Sequence, residues 1–259
     1  MRKLSIITIN YNNLEGLKRT VESVVNQTWS EFEYIVIDGY STDGSVKYLE
    51  NQESKIDYWI SEPDSGIYNA MNKGIKVANG EYLLFLNSGD LLFHNSVLEE
   101  NFIEFHTEDL ICFDILMRKD EQEFIKSSPA KNILYYLALD TFPHQSILIS
   151  KKMFNLVGEY DEKIKIVADW KFLMHAIVFH KASYKKIDRL LSIYYLDGIS
   201  SNKVNHELMI KERHTVLNND FPYIKELFGH VFKNESLISR FRKSNKIKLL
   251  VKLGLLNKF

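Results

Sequence analysis

The chain is poor in several features, and each scarcity excludes a class of protein. Among 259 residues there is one cysteine, so no intramolecular disulfide can form and a reducing, cytoplasmic setting is expected. Cys112 stands in the mostly apolar run 110–115 and reads as a reduced core residue. The formal net charge is -1, so no global field recruits nucleic acid, and no nucleic-acid partner is expected. No apolar run approaches the roughly 20 residues that a membrane span needs. The apolar run 4–9 is too short for a signal segment and is followed by Asn10. No internal repeat and no low-complexity linker is evident. Two phosphate-binding signatures are also missing. Residues 10–13 read Asn-Tyr-Asn-Asn where a dinucleotide fold would place Gly-x-Gly-x-x-Gly, and no Gly-Lys-Ser/Thr loop occurs. Phosphates, if bound, must be held another way, and a divalent cation on carboxylates is the obvious one.

What is present points to one substantial core. The chain is 45% hydrophobic, with 16 Phe, 14 Tyr and 3 Trp, a composition that argues against disorder. The run 4–10, rich in β-branched residues, reads as a strand buried on both faces; 34–38 repeats that signal, 57–60 is a further short strand, and 82–86 is again a buried strand. Between them, Leu14, Leu17, Val21 and Val24 follow a helical stripe. Asp43 is placed to cap a second helix, and Asp64 or Ser65 a third over residues 67–78. Asn79-Gly80 is a stop signal. Strands alternating with helices at this pace predict βαβ units and a largely parallel sheet. Later, 95–105 and 168–179 read as helices, 118–131 as a hairpin or loop, and Ser150 as the cap of a helix ending at Gly158. Strands are expected at 110–115, 146–149, 184–187 and 192–195. The first boundary is drawn near residue 230, where composition turns basic.

Three polar clusters follow strands: Thr8, Asn10 and Tyr11; residues 38–45, beginning at Asp38; and Asn87, Ser88, Gly89 and Asp90. In a parallel sheet all three fall on one edge, where open α/β sheets bind ligands. The same residue types also serve turns and caps. Later in the chain, Asp169 opens a helix whose dipole and free amides stabilise a carboxylate.

The segments SIITINYNN, EYIVIDGYSTDGS and SEPDSGIYNAMNKGIKVANGEYLLFLNSGD together resemble the nucleotide-sugar-binding half of family 2 glycosyltransferases. The match is close over residues 3–93 and looser through PHQSILI (143–149), VADWKFLMHAI (167–177) and LDGISS (196–201). The resemblance implies a GT-A fold, α/β and Rossmann-like, with a mixed, mostly parallel sheet flanked by helices. It implies inverting transfer from a nucleoside diphosphate sugar, with UDP the expected nucleotide, to a saccharide or lipid-linked acceptor in cell-surface polysaccharide assembly. Thr8, Asn10 and Tyr11 then edge the base pocket, and Asp38 accepts a hydrogen bond from the base. Asp64 and Gly66 approach the nucleoside. Asn69, Asn72 and Lys73 share a helix face near it, where Lys73 meets phosphate or is simply solvated. The family's Asp-x-Asp metal motif is here Asn87-Ser88-Gly89-Asp90. Asp90 alone remains as a charged ligand for Mn2+ or Mg2+, with Asn87 and Ser88 beside the diphosphate. His144 either joins the metal or diphosphate or bonds a backbone carbonyl. Asp169 matches the catalytic base, and Trp170 stacks on a sugar or anchors its helix. The loop at Asp197 is a lid or a plain turn.

The expected organisation is a catalytic domain over 1–230, divided into a nucleotide-sugar half (1–93) and an acceptor half (94–230), and a basic helical tail over 231–259. From residue 233 onward eight Lys/Arg face one acid, Glu235, with apolar residues interleaved. Such a segment lies peripherally on the inner face of an anionic plasma membrane, packs on the domain, or forms a homodimer. Two rival functions stand beside transfer. A nucleotidyltransferase would need a Gly-rich basic loop after the first strand. A non-catalytic nucleotide-sugar binder fits the loss of acids at Asn87 and Gly89.

Overall fold

The computed structural model describes residues 3–102, 107–119, 122–195 and 203–256. Its centre is a mixed nine-stranded sheet, in the order β3-β2-β1-β4-β8-β6-β9-β5 with β7 paired to β6. The strands are β1 (Leu4–Asn10), β2 (Phe32–Asp38), β3 (Tyr58–Ser61), β4 (Tyr82–Phe85), β5 (Leu91–Leu92), β6 (Leu110–Lys119), β7 (Gln122–Lys126), β8 (Ile147–Ser150) and β9 (Tyr184–Tyr195). The helices are α1 (Leu14–Val25), α2 (Ser45–Gln52), α3 (Ile67–Val77), α4 (Val97–Phe102), α5 (Ile133–Leu139), α6 (Lys151–Val157), α7 (Ala168–Val178), α8 (Lys203–Asp220), α9 (Pro222–Lys243) and α10 (Asn245–Lys252). The expected α/β class with a mostly parallel nucleotide-binding half is met. β3, β2, β1 and β4 run parallel, while β8 pairs antiparallel with both β4 and β6.

The first strands are solid apolar runs because both faces are covered. Ile7, Ile9, Ile35, Ile37, Leu83 and Phe85 enter one core layer. Their alternates Leu4, Ile6, Tyr34, Val36, Tyr82 and Leu84 enter the other. The first layer continues through Tyr68, Phe154, Tyr160 and Phe172, with ring centroids 4.6 Å apart for Phe154 and Phe172. α3 packs on that side and α1 on the opposite one. Chain order therefore reverses between β1 and β4, and a crevice opens at their carboxyl ends.

Several expectations shift. The late strands 184–187 and 192–195 are one strand, β9, whose pairing with β6 carries register shifts around Asp114. Segment 118–131 includes a β6–β7 hairpin, and α5 has no counterpart among the expected helices. Neither Asp64 nor Ser65 caps α3: its N-cap is Gly66, at φ 132, with no side-chain bond. Asp43 accepts from Ser45 N–H but also from Leu14 N–H at 2.7 Å, tying the starts of two helices together. The Asn79-Gly80 stop holds, although the need for glycine there is spatial. A Cβ at Gly80 would lie 2.4 Å from the Ser5 nitrogen. No structural break occurs at residue 230, because α9 runs through it unbroken. The loop at Asp197 lies outside the described residues. Among the described residues no helix is long and apolar enough to cross a membrane.

Candidate active site

The parallel registers align Asn10 with Asp38 and Asp38 with Ser61. The ladder continues past β4, since Leu86 N–H donates to Ile7 C=O and Ser88 N–H to Ile9 C=O. The three polar clusters therefore do share one edge. There each asparagine of 10–13 has a separate task. Asn10 Nδ2 donates to Asp38 Oδ1 at 2.7 Å. Asn12, at φ 47, accepts from Thr42 N–H and donates its own N–H to Ser41 Oγ. Asn13 caps α1 through Gly16 N–H and donates to Ser88 C=O. Side-chain amides thus do the fastening that glycines permit in dinucleotide loops.

Asp38 is the hub of this edge and is fully buried. Oδ1 accepts from Asn10 Nδ2 and Ser41 Oγ, and Oδ2 from Ser41 N–H and Ser61 Oγ, at 2.6–2.9 Å. A carboxylate has about four acceptor positions, and all four are occupied. Contact between Asp38 and a base would require one of the serine hydroxyls to turn aside. Thr8 departs further from expectation. It is fully buried two residues behind the edge, where its hydroxyl meets Tyr34 OH and Leu86 C=O. It supports the edge from beneath and lines nothing.

The exposed part of the pocket is aromatic. Tyr11 is 68% exposed and Tyr40 63%, the latter at φ 67, a strained conformation for a bulky residue. Between them Gly39 leaves room for neighbours. A Cβ there would lie 2.4 Å from Asp64 Oδ2 and 3.2 Å from the Tyr11 ring. Asp64 Oδ1 accepts from Gly66 N–H. Tyr11, Asp64 and Gly66 accordingly gather around one spot, with exposed Tyr40 next to Gly39 in the chain.

Asn69, Asn72 and Lys73 do share a face of α3, but that face meets protein. Asn72 Oδ1 accepts from Tyr160 N–H, its Nδ2 donates to Tyr160 C=O, and both asparagines donate to Glu162. Lys73 donates to Pro63 C=O at 2.8 Å and pairs with Glu62 at 2.8 Å. These residues fasten the loops on either side of α3. The periodicity of a helix reports which side chains share a face and is silent on what the face touches.

The tip after β4 is a tight turn closed by Asp90 N–H on Asn87 C=O at 2.9 Å. Gly89 sits at φ 109, so the middle position, where an acid would stand in the family motif, is held by the turn's conformational demand. Thr20 Oγ1, in α1, accepts from Gly89 N–H and donates to Asp90 C=O. Asp90 is buried, and its Oδ2 accepts from Gln145 Nε2 at 2.9 Å. Asn87 Nδ2 lies 3.0 Å from His144 Nε2, while Asn87 Oδ1 is buried without a hydrogen-bond partner. Burial pushes the His144 imidazole below its ordinary value, against an opposing pull from Asp169. It is therefore neutral near pH 7, and an amide donating to Nε2 puts its proton on Nδ1.

Asp169 lies in the first turn of α7. Its Oδ1 accepts from Trp170 N–H at 2.8 Å and lies 3.0 Å from Tyr68 OH. Among the described residues nothing donates to Oδ2. Trp170 is fully buried and donates to Leu137 C=O, so it anchors the helix and is not placed to stack on a sugar. Arg213, from α8, lies over the Trp170 ring at 5.0 Å, with Nε buried and unpartnered. The charge of Asp169 acts on Arg213. Tyr68 and Arg213 were not legible as site residues, since each is carried by an element whose packing only the fold defines. Asn87 lies against His144, and the charge of Asp169, far from Asn87 in sequence, acts on the same imidazole.

Comparison with known proteins bears on the fold and the family. The family model described as Glycosyl transferase family 2 matches residues 5–159. An uncharacterized glycosyltransferase of Mycobacterium tuberculosis is 35% identical over 181 residues, spanning 67% of this chain and 68% of its own length. A PGL/p-HBAD biosynthesis glycosyltransferase of Mycobacterium bovis is 29% identical over 65% of this chain and 67% of its own. Among solved structures, S. aureus TarS 1-349 in complex with UDP-GlcNAc superposes with a TM-score of 0.64 at 22% identity. That match covers 84% of this chain and 67% of that one. Against the longer TarS chain the coverage falls to 40% of that protein. A mannosyltransferase from Pyrobaculum calidifontis, in complex with GDP-Man and Mn2+, gives 0.60 at 13% identity, over 98% of this chain and 79% of its own. At these identities the structural likenesses establish the fold.

Proposed function

The chain belongs to glycosyl transferase family 2, and on that premise we propose that it transfers a hexosyl group, with inversion, from a UDP-linked sugar to a saccharide or lipid-linked acceptor. The setting we assign is cytoplasmic assembly of a cell-surface polysaccharide. The observation that carries the reading is the Asp169 carboxylate: one oxygen is fixed by Trp170 N–H and lies 3.0 Å from Tyr68 OH, whose shorter bond of 2.6 Å goes to Ile166 C=O, and the other has no donor among the described residues. A base held by one oxygen and open at the other is oriented to take a proton.

In the reaction, the acceptor hydroxyl loses its proton to Asp169 as its oxygen bonds to the anomeric carbon. The bond from that carbon to the diphosphate oxygen breaks on the opposite face, and the electron pair leaves with the nucleotide. Tyr11 and Tyr40 offer aromatic surface to the base, and Asp64 and Gly66 border the ribose side. Asp38, through Asn10, Ser41 and Ser61, keeps the edge in shape. His144, neutral and bonded to Asn87, couples the turn that meets the diphosphate to the acceptor side.

Among the described residues no three His, Cys, Asp or Glu side chains converge on a metal position. The donor set nonetheless fits Mn2+ or Mg2+ of a particular kind. Asp90 supplies a carboxylate, and the buried, unpartnered Asn87 Oδ1 is a hard oxygen on the same turn. Both ions accept a site in which phosphates and water provide most ligands. When bound, the ion neutralises charge on the leaving diphosphate. Solved structures of similar fold, one in complex with UDP-GlcNAc and one with GDP-Man and Mn2+, support a nucleotide-sugar donor of this type.

The test is UDP release from UDP-GlcNAc with Mn2+ and a mixture of saccharide acceptors. Asp169→Asn should lower turnover at least about 100-fold while leaving UDP binding intact. A variant with full turnover sinks the assignment of the base. The replacement of acids at Asn87 and Gly89 favours one other reading, a nucleotide-sugar binder without turnover. Binding of UDP-GlcNAc with no UDP released from any acceptor would establish it.

A further inference from the structure

The C-terminal helices carry a surface that the donor site does not use. In α9, Tyr223, Leu227, Leu237 and Phe241 are all exposed. At 100° per residue these four fall within an arc of about 80°, while Phe232, also exposed, lies on the opposite side of the helix. Phe228 and Val231 are the residues α9 buries, and they lie to one side of that arc. Beyond Ser244 the chain turns into α10, which buries no residue. Its Ile247, Leu250 and Val251 are half-buried on one side, leaving Leu249 and Leu253 turned outward and exposed, with Leu255 and Leu256 following. Exposed Arg240, Lys243, Lys246, Lys248 and Lys252 border these apolar residues. The two helices carry two acids: Glu226, exposed beside Leu227, and Glu235, engaged by Tyr135 OH, against a larger number of Lys and Arg.

From this arrangement we propose that α9 and α10 form a docking surface for an anionic lipid bilayer. The leucines enter the headgroup boundary and the cations meet lipid phosphates. Charge decides against the other occupants. A two-fold contact between copies sets the same patch against itself, which would bring the cations of one chain against those of the other. A nucleic acid would use the cations, but it offers no apolar phase for Leu249, Leu253, Leu255 and Leu256. This surface stands independently of the reaction assigned to the sheet edge.

Sedimentation of the full chain with vesicles tests the proposal. Phosphatidylcholine vesicles with about one third phosphatidylglycerol should pellet the protein at low salt, and pure phosphatidylcholine vesicles should not. Each Lys or Arg at such a surface contributes about fivefold to partitioning, so Lys246→Gln/Lys248→Gln/Lys252→Gln should weaken it about a hundredfold. Leu249→Ser/Leu253→Ser should weaken it at least about tenfold. All five positions are exposed, so both variants should keep the wild-type circular dichroism. The proposal is overturned if the protein stays in the supernatant, or pellets equally with neutral vesicles. It is equally overturned if the Gln variant binds like wild type, or if sedimentation velocity finds a dimer that the Ser variant dissolves.

Discussion

The hub at Asp38 allows the strongest test of how this site is built. Its carboxylate is fully buried and is held by four neutral donors at 2.6–2.9 Å. In Asp38→Ala all four lose their acceptor at once. The hydroxyls of Ser41 and Ser61 can turn to other partners, and Asn10 Nδ2 keeps Ser41 Oγ at 3.2 Å. The Ser41 N–H has no such freedom. One orphaned buried amide costs about 1–3 kcal/mol, and bonds to a charged acceptor contribute about 1.5–3 kcal/mol each. After relaxation of the hydroxyls, a total loss of about 3–5 kcal/mol is expected. Asp38→Asn should cost far less, about 1 kcal/mol. Its new amide faces Asn10, whose Oδ1 is buried and unpartnered. A flip of the Asn10 amide would convert a donor–donor clash into a bond. Urea unfolding followed by circular dichroism measures both variants. A loss below about 1 kcal/mol for the Ala variant refutes the reasoning, as does an Asn variant no more stable than the Ala variant.

Two further outcomes follow from single residues. His144 is held below its ordinary value of 6.5 by burial, so below that pH the unfolded chain takes up a proton that the native site resists. Stability should therefore fall as pH drops through about 6.5, and His144→Gln should flatten that part of the profile in urea titrations between pH 5 and pH 7; an unchanged slope would mean another group is responsible. Gly80→Ala would place a Cβ 2.4 Å from the Ser5 nitrogen and 2.6 Å from the Leu4 carbonyl carbon. Because backbone must give way, a loss of about 2–3 kcal/mol is expected by urea denaturation, and a neutral effect would show that the β1 contact yields freely.

The residues differ in how much they disclose before folding. β1, β2 and β4 are legible because parallel strands covered on both faces must be apolar at every position. β9 is not, since Asp188 and Arg189 are exposed in its middle, where the register against β6 shifts, and a broken apolar run reads as two strands. Asp38, Asp90 and Asp169 stand out as carboxylates at strand ends or a helix start. Asn69, Asn72 and Lys73 present the same polar types with the right helical spacing, and yet they fasten Tyr160, Glu162 and Pro63. Spacing along a helix is a local property. The surface opposite is not.

By itself the sequence determined the α/β class, the edge where the polar clusters meet, and the family, because these rest on short-range periodicity and on residue types at strand ends. It also determined that only one carboxylate stands on the turn after β4. Tertiary structure alone decided that Gly89 occupies the middle of that turn because its φ demands it. It decided that Asp38 is saturated by its neighbours, that Asn87 meets His144, and that Asp169 meets Tyr68. Those outcomes depend on which side chains cross between elements remote in the chain. Such contacts are set by packing on both faces of the sheet, and no local pattern encodes them.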